Sequence, residues 1–301
     1  MPPTEKGSLE TPRSGLVTLV GRANVGKSSL VNTMMGRKVS IVSDKPQTTR
    51  GAQRAVLSTG RAQIVFVDTP GLHKPRTLLG QRLNRTALNA VDGVDVVVLV
   101  VDGKSGVGAG DRFVADRLAP ADRHVCVVNK VDGMARAAVL AQLHAVGEWG
   151  FDEYFAVSAR SGAGVAELVA ALARRLPEGR PLYPVGTAGP LDGPGPAMGE
   201  ADQRQWLSEL VREQLLAVTR EELPYSIACQ VTDWEWPYLR CEILVERGSQ
   251  KGMVIGHGGA VLKKVGTAVR AQLPPGAYVE LSVRVVQDWQ RKPEMLDRLG
   301  L

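Results

Sequence analysis

"GRANVGKSSL", residues 21–30, separates the apolar run "GLVTLV" (15–20) from the helix-like "VNTMMGRK" (31–38). Within it Gly21, Arg22, Ala23, Asn24, Val25, Gly26, Lys27 and Ser28 fit the pattern G-x-x-x-x-G-K-[ST], with Ser29 following. Glycines let such a loop turn successive backbone N–H groups toward phosphate oxygens, at the positive end of the next helix. Lys27 is suited to neutralise β- and γ-phosphates, and Ser28 to ligate Mg²⁺. An ordinary Gly-rich turn would not need this order of residues between a strand and a helix. The stretch is therefore read as a phosphate cradle, and it makes the first part of the chain α/β.

The surrounding pattern agrees. "AQIVFVD" (62–68), "VDVVVLVVD" (94–102), "HVCVVNK" (124–130) and "EYFAVSA" (153–159) are near-continuous apolar runs, as expected for parallel strands covered on both faces. Helical patterns such as "MARAAVLAQLHAVGEW" and "GVAELVAALARRL" lie between and after them. Ligands of such a sheet gather at the carboxyl ends of its strands. The longest apolar run in this region, "VVVLVV" (96–101), suits a buried strand and is far short of the roughly 20 residues that span a bilayer.

Three further stretches sit at strand ends. Asp68-Thr69-Pro70-Gly71 closes one strand; its carboxylate matches a second Mg²⁺ anchor, through water, and the Gly71 N–H could meet a γ-phosphate. Asn129-Lys130-Val131-Asp132 closes another. Asp132 can accept from guanine N1–H and the exocyclic amine, whereas adenine would leave that carboxylate unpaired. Asn129 would face N7, the Lys130 stem would cover the ring, and Ser158-Ala159-Arg160 would aim the Ala159 N–H at guanine O6. The cradle is thus expected to hold GTP. Between cradle and Asp68, the polar loop "VSDKPQTTR" offers Gln47, Thr48 and Thr49, and either threonine hydroxyl could complete the Mg²⁺ shell. Leu72, where many GTPases carry a water-orienting glutamine, has no polar atom. His73 and Arg50 are read as exposed loop residues, Arg50 contacting RNA or the second half of the chain.

Composition changes at 181–200, "PLYPVGTAGPLDGPGPAMGE", where five Gly and five Pro make a linker. Beyond it, "RQWLSELVREQLLAVTR" reads as a helix, "YSIACQV" and "LRCEILVE" as strands, "MVIGHGGAVLKKVGTAVRAQL" as two helices about a turn, and "AYVELSVRVV" as a strand. In this αββααβ order, Gly256-His257-Gly258-Gly259 fits the G-x-x-G turn that lets a nucleic-acid backbone approach closely. Residues 247–270 hold Arg247, Lys251, Lys263, Lys264 and Arg270 and no acid, while 201–246 hold four basic and nine acidic residues. Such a stripe is the footprint of a phosphate backbone, and Val254, Ile255 and Val261 are expected to form an apolar groove for bases.

The chain has 301 residues, 44% hydrophobic, with a net charge of +6 that permits a polyanionic partner without requiring one. "MPPTEKGSLETPR" has no apolar core region and reads as a solvated tail rather than a secretory signal. Cys126, Cys229 and Cys241 form no CxxC pair and are read as buried thiols of a reducing cytoplasm.

"QTTRGAQRAVLSTG", "DTPGLHKP", "LPEGRPLYP", "VREQLLAVTREELPYSIACQV", "VIGHGGAVLKKVGTAVR" and "VRVVQDWQRKPEML" resemble segments of the Era family of bacterial ribosome-assembly GTPases, over residues 14 to 301. The resemblance implies an N-terminal tail (1–13), a P-loop GTPase domain (14–180) with a mostly parallel sheet, the linker (181–200) and a type II KH domain (201–301). It also implies GTP or GDP with Mg²⁺ held by Ser28, Thr49 and Asp68, and K⁺ held by Asn24, stimulating hydrolysis. Expected partners are the 3′ end of 16S rRNA and the 30S subunit precursor, with a monomer in the cytoplasm and peripheral contact with the membrane.

Overall fold

Side chains that are β-branched or aliphatic at nearly every position suit strands sandwiched between helices, and the first domain is built on them. In the computed structural model, which describes residues 12–45, 48–60, 62–118, 123–184, 200–219 and 223–301, six strands form one sheet. They are β1 (Arg13–Val20), β2 (Gln53–Ser58), β3 (Ala62–Asp68), β4 (Val96–Asp102), β5 (His124–Asn129) and β6 (Glu153–Ala156). Their order is β2-β3-β1-β4-β5-β6, parallel except where β2 runs antiparallel to β3 along the edge. All seven residues of β3 are buried.

Helices α1 (Lys27–Met35) and α5 (Val165–Arg175) cover one face through Leu30, Val31, Leu168 and Leu172. On the other face α2 (Leu78–Asn89), α3 (Ala109–Leu118) and α4 (Arg136–Gly147) bury Ala87, Val114, Leu118 and Val146. The carboxyl ends of β1, β3, β4 and β5 open onto one rim, and every nucleotide motif lies there.

Domain edges differ slightly from the sequence reading. Arg13 belongs to β1 and donates to the Leu176 carbonyl at 2.6 Å. At the other end Tyr183 exchanges hydrogen bonds of 2.8 and 2.9 Å with Gln63, so the chain stays fastened to the first sheet beyond residue 180. The tail before Pro12, linker residues 185–199 and Gln47 lie outside the described residues.

The second domain follows as α6 (Glu200–Val218), α7 (Leu223–Ser226), β7 (Ala228–Glu235), β8 (Tyr238–Val245), α8 (Gly248–Ile255), α9 (Ala260–Arg270), β9 (Tyr278–Val285) and α10 (Pro293–Arg298). Its sheet runs β7-β8-β9, the first pair antiparallel and the second parallel. The αββααβ frame is present with two additions. Tyr225 and Ser226 lie in the short α7 rather than in a strand, and α10 follows β9. Leu207, Leu210, Val211, Ile243, Val265 and Val269 fill this domain's core.

A separate apolar cluster joins the two domains. Leu79 and Leu83 of α2 pack with Ala228, Leu244, Trp289 and Leu296. The Trp289 indole N–H donates to the Ser226 carbonyl at 2.9 Å, which satisfies the only polar atom of a fully buried ring. Cys126 and Cys241 are buried and Cys229 half-buried; burial pushes the Cys126 thiol up to about 12, away from reactive thiolate.

Candidate functional site

The cradle needs a backbone turn that only glycine takes easily. Gly26 caps α1 with φ 94°, and a Cβ there would meet the Asn129 Nδ2 at 2.4 Å. No side chain caps the helix, so its first N–H groups point into the cradle. Lys27 is buried and arches back to the Gly21 and Arg22 carbonyls at 3.2 and 3.1 Å. Burial lowers its pKa to about 8, against the pull of Asp68.

Asp68, 1% exposed at the end of β3, raises the question of what it serves. Neither carboxylate oxygen has a hydrogen-bond partner of normal geometry. Burial raises its pKa, partly offset by the nearby Ser28 hydroxyl and Lys27 ammonium. A buried carboxylate without partners is costly, and a cation removes that cost. Ser28 Oγ and Thr49 Oγ1 lie 2.9 Å apart. Two oxygens on adjacent corners of a Mg²⁺ octahedron are separated by about the same distance, given Mg–O bonds near 2.1 Å. The residues therefore fit Mg²⁺. Thr48 instead turns its hydroxyl to the Lys45 carbonyl at 2.6 Å, which leaves Thr49 as the threonine facing Ser28. Asn24 holds φ 64° and donates to the Asp44 carbonyl at 2.7 Å, closing the cradle against the loop above.

On the third side, Gly71 approaches the cradle so closely that a Cβ would meet the Ala23 Cα at 2.6 Å. Leu72 N–H donates to the Gly21 carbonyl at 3.1 Å, while its side chain is buried in the core and aimed away from the cradle. Thr69 is fully buried and bonds the Leu19 carbonyl, which makes it a structural residue of this segment. His73 is half-buried, with Nδ1 3.1 Å from the Gly71 carbonyl oxygen.

The stretches read as candidates for guanine lie side by side and share one bond. Asn129 donates to the Val25 carbonyl at 2.9 Å and accepts from the Ala159 N–H at 3.0 Å, tying three loops together. The Ala159 N–H expected at guanine O6 is thus partly engaged by Asn129, whose second amide hydrogen remains for the base. Ser158 Oγ donates to one Asp132 oxygen at 2.7 Å, the main cause of that carboxyl's lowered pKa. Arg160 is exposed at the rim. Lys130 reaches the Asn24 carbonyl at 2.5 Å and Asp102 at 2.7 Å. Burial would raise the Asp102 carboxyl, but Lys130 and Ser105 together hold it low. Asp102 did not emerge from the sequence, although it ends β4 as Asp68 ends β3.

In the second domain, residues 256–259 form the turn between α8 and α9, with His257 and Gly258 exposed. Lys251, Lys263, Lys264 and Arg270 are exposed around it. Val254 corrects the expected groove: it is fully buried in the domain core and cannot touch a base, which leaves half-buried Ile255 and Val261. Arg50 bonds the second domain, one of the two contacts expected for it, but it is 3% exposed there rather than solvated.

Fold and site together define a P-loop GTPase domain joined to a KH-type RNA-binding domain. A family profile described as 50S ribosome-binding GTPase matches residues 16–130, and one described as KH domain matches residues 222–290. GTPase Era of Mycobacterium sp. (strain KMS) is 41% identical over 304 residues, covering 96% of this chain and 98% of that one, and GTPase Era of Mycobacterium avium (strain 104) gives the same figures. Two solved structures are similar over 96% of this chain and 99% of theirs, each at 32% identity. One is Era in complex with MgGDPNP and nucleotides 1506–1542 of 16S ribosomal RNA, with a TM-score of 0.88. The other is a tyrosine-to-alanine variant of Aquifex aeolicus Era bound to GDP·AlF₄⁻, with a TM-score of 0.86. The chain belongs to the GTPase Era family, and it is a GTPase.

Proposed function

We propose that this chain is a GTP-driven switch that binds the 3′ end of 16S rRNA and acts in assembly of the 30S subunit. The observation that carries the reading is the exposed 256–259 turn within a lysine- and arginine-rich surface, on a chain whose Era relative was solved with nucleotides 1506–1542. Phosphate contacts from such a surface supply affinity, and backbone N–H groups of the turn position the strand.

Within the cradle, Ser28, Thr49 and Asp68 would hold Mg²⁺, whose charge neutralises the β- and γ-phosphates when bound. Lys27 moves its ammonium from the Gly21 and Arg22 carbonyls to phosphate oxygens. Asp132 selects guanine, and Gly71 N–H reports the third phosphate. The buried Leu72 takes no part in orienting water. Asn24 and the Asp44 carbonyl, 2.7 Å apart, supply oxygen donors of the kind K⁺ takes once the Asn24 amide turns over. Turnover in matched KCl and NaCl, with and without Asn24→Ala, tests that role: potassium should accelerate only the parent protein.

No helix among the described residues is long and apolar enough to cross a membrane. We place the protein in the cytoplasm as a monomer, touching the membrane only peripherally. The deciding experiment measures affinity for an RNA spanning nucleotides 1506–1542 with GDPNP or GDP bound. Tighter binding with GDPNP supports the switch; equal affinity in both states overturns it.

A further inference from the structure

The loop that carries Thr49 is fastened to the second domain on both sides of that threonine. Before it, Arg212 of α6, 1% exposed, donates to the Thr48 carbonyl and pairs with Glu209. After it, Arg50 donates through Nη1 to the Ile227 carbonyl at 2.7 Å and through Nη2 to the Tyr225 carbonyl at 3.4 Å. Its guanidinium lies 5.5 Å from the centre of the Trp289 ring. Earlier in the loop, Glu213 accepts from the Val42 N–H at 3.0 Å and pairs with Lys38. Two buried arginines, one from each domain, therefore bracket the residue whose hydroxyl sits 2.9 Å from that of Ser28. A buried guanidinium is costly unless it is paired. Both Nη groups of Arg50 donate across the domain boundary while its buried Nε has no partner among the described residues, and Arg212 donates across the same boundary while Glu209 fixes it.

We infer that Arg212 and Arg50 are positioning residues through which the second domain holds Thr49 at its Mg²⁺-ligating place. Docking of the KH domain is then part of the Mg²⁺·GTP site, although neither arginine touches the nucleotide cradle. The inference rests on the reading of Thr49 as a Mg²⁺ ligand. Coupling between sites is reciprocal: whatever Mg²⁺·GTP contributes to docking through Thr49, docking returns to Mg²⁺·GTP binding. A diphosphate, which does not need Thr49, should be indifferent.

The test uses the full chain in two forms, Arg50→Met, and Arg212→Met combined with Glu209→Gln so that no carboxylate is left buried and unpaired. Affinities for GDPNP and GDP are measured across Mg²⁺ concentrations, with thermal unfolding recorded alongside. GDPNP affinity at saturating Mg²⁺ should fall about tenfold, the usual loss for a charge-assisted hydrogen bond. GDP affinity, and GDPNP affinity in EDTA, should stay at the parent value. Arg50→Lys, which restores one donor, should recover part of the loss. A folded variant in which both nucleotides weaken equally, or neither weakens, overturns the inference. The two variants lie on opposite sides of the boundary, so either one alone decides if the other does not fold. Thr49→Ala should weaken GDPNP at saturating Mg²⁺ by at least as much as the arginine variants do, while GDP affinity and GDPNP affinity in EDTA hold. If it does not, the ligand reading is wrong and the inference goes with it; if it does while both arginine variants bind normally, the inference alone is overturned.

Discussion

Lys27 shows how a single buried charge sets a pH dependence. Its pKa stands near 8 because burial disfavours the ammonium. The unfolded chain keeps that proton up to about 10.5, so the free protein gains stability as pH climbs between these values. Bound triphosphate acts the other way, since phosphate oxygens favour the charged form and lift the pKa. Nucleotide binding should therefore take up a proton near pH 8. Affinity should fall about tenfold between pH 7 and pH 9, measured by calorimetry in buffers of different ionisation enthalpy. Asp132 makes a second case. Asp132→Asn puts an amide where guanine presents donors, and GTP affinity should drop roughly a hundredfold. Xanthosine triphosphate, whose position-2 oxygen accepts from the new amide, should instead gain affinity, and competition binding reads the ratio.

The segment that begins at Gly71 depends on close contact rather than on charge. Because a Cβ at that position would lie 2.6 Å from the Ala23 backbone, Gly71→Ala must push the segment off the cradle. The preference for GDPNP over GDP should shrink by several-fold while GDP affinity holds, at a strain of about 1–3 kcal/mol. Fluorescent-nucleotide competition distinguishes this from general unfolding. Elements of this kind were legible in the sequence, because phosphate binding depends on a few consecutive residues and their turn geometry. The guanine motifs were legible for the same reason, each closing an apolar strand. Strand β2 was not, since an edge strand with one exposed face reads "QRAVLS", with no continuous apolar run. Nor was α7, where a single turn breaks what looks like uninterrupted strand.

What joins the domains was mostly hidden from local pattern. Arg50 reads as a solvated cation for RNA or the second half of the chain, and only the Ile227 carbonyl, 177 residues away, which accepts from it, decides between them and buries it. Arg212 and Glu213 look like the polar side of an amphipathic helix. Their burial follows from a partner that no window of sequence contains. Val254 fails in the converse way, because an apolar residue before a G-x-x-G turn can face RNA or core, and only the packing of α8 decides. Trp289 measures the strength of this junction. It is fully buried against both domains, and Trp289→Ala should cost about 3–5 kcal/mol in urea unfolding. The loss should appear in probes placed on either domain.

The cluster around Leu79 and Leu83 also governs how the molecule can be divided. Cutting the chain before α6 would strip these two leucines, fully buried in the intact protein, of most of their apolar cover. The fragment would present a sticky oily patch with a stranded guanidinium next to it. Self-association and precipitation, rather than the enzymology of the native chain, would then dominate what such a fragment reports.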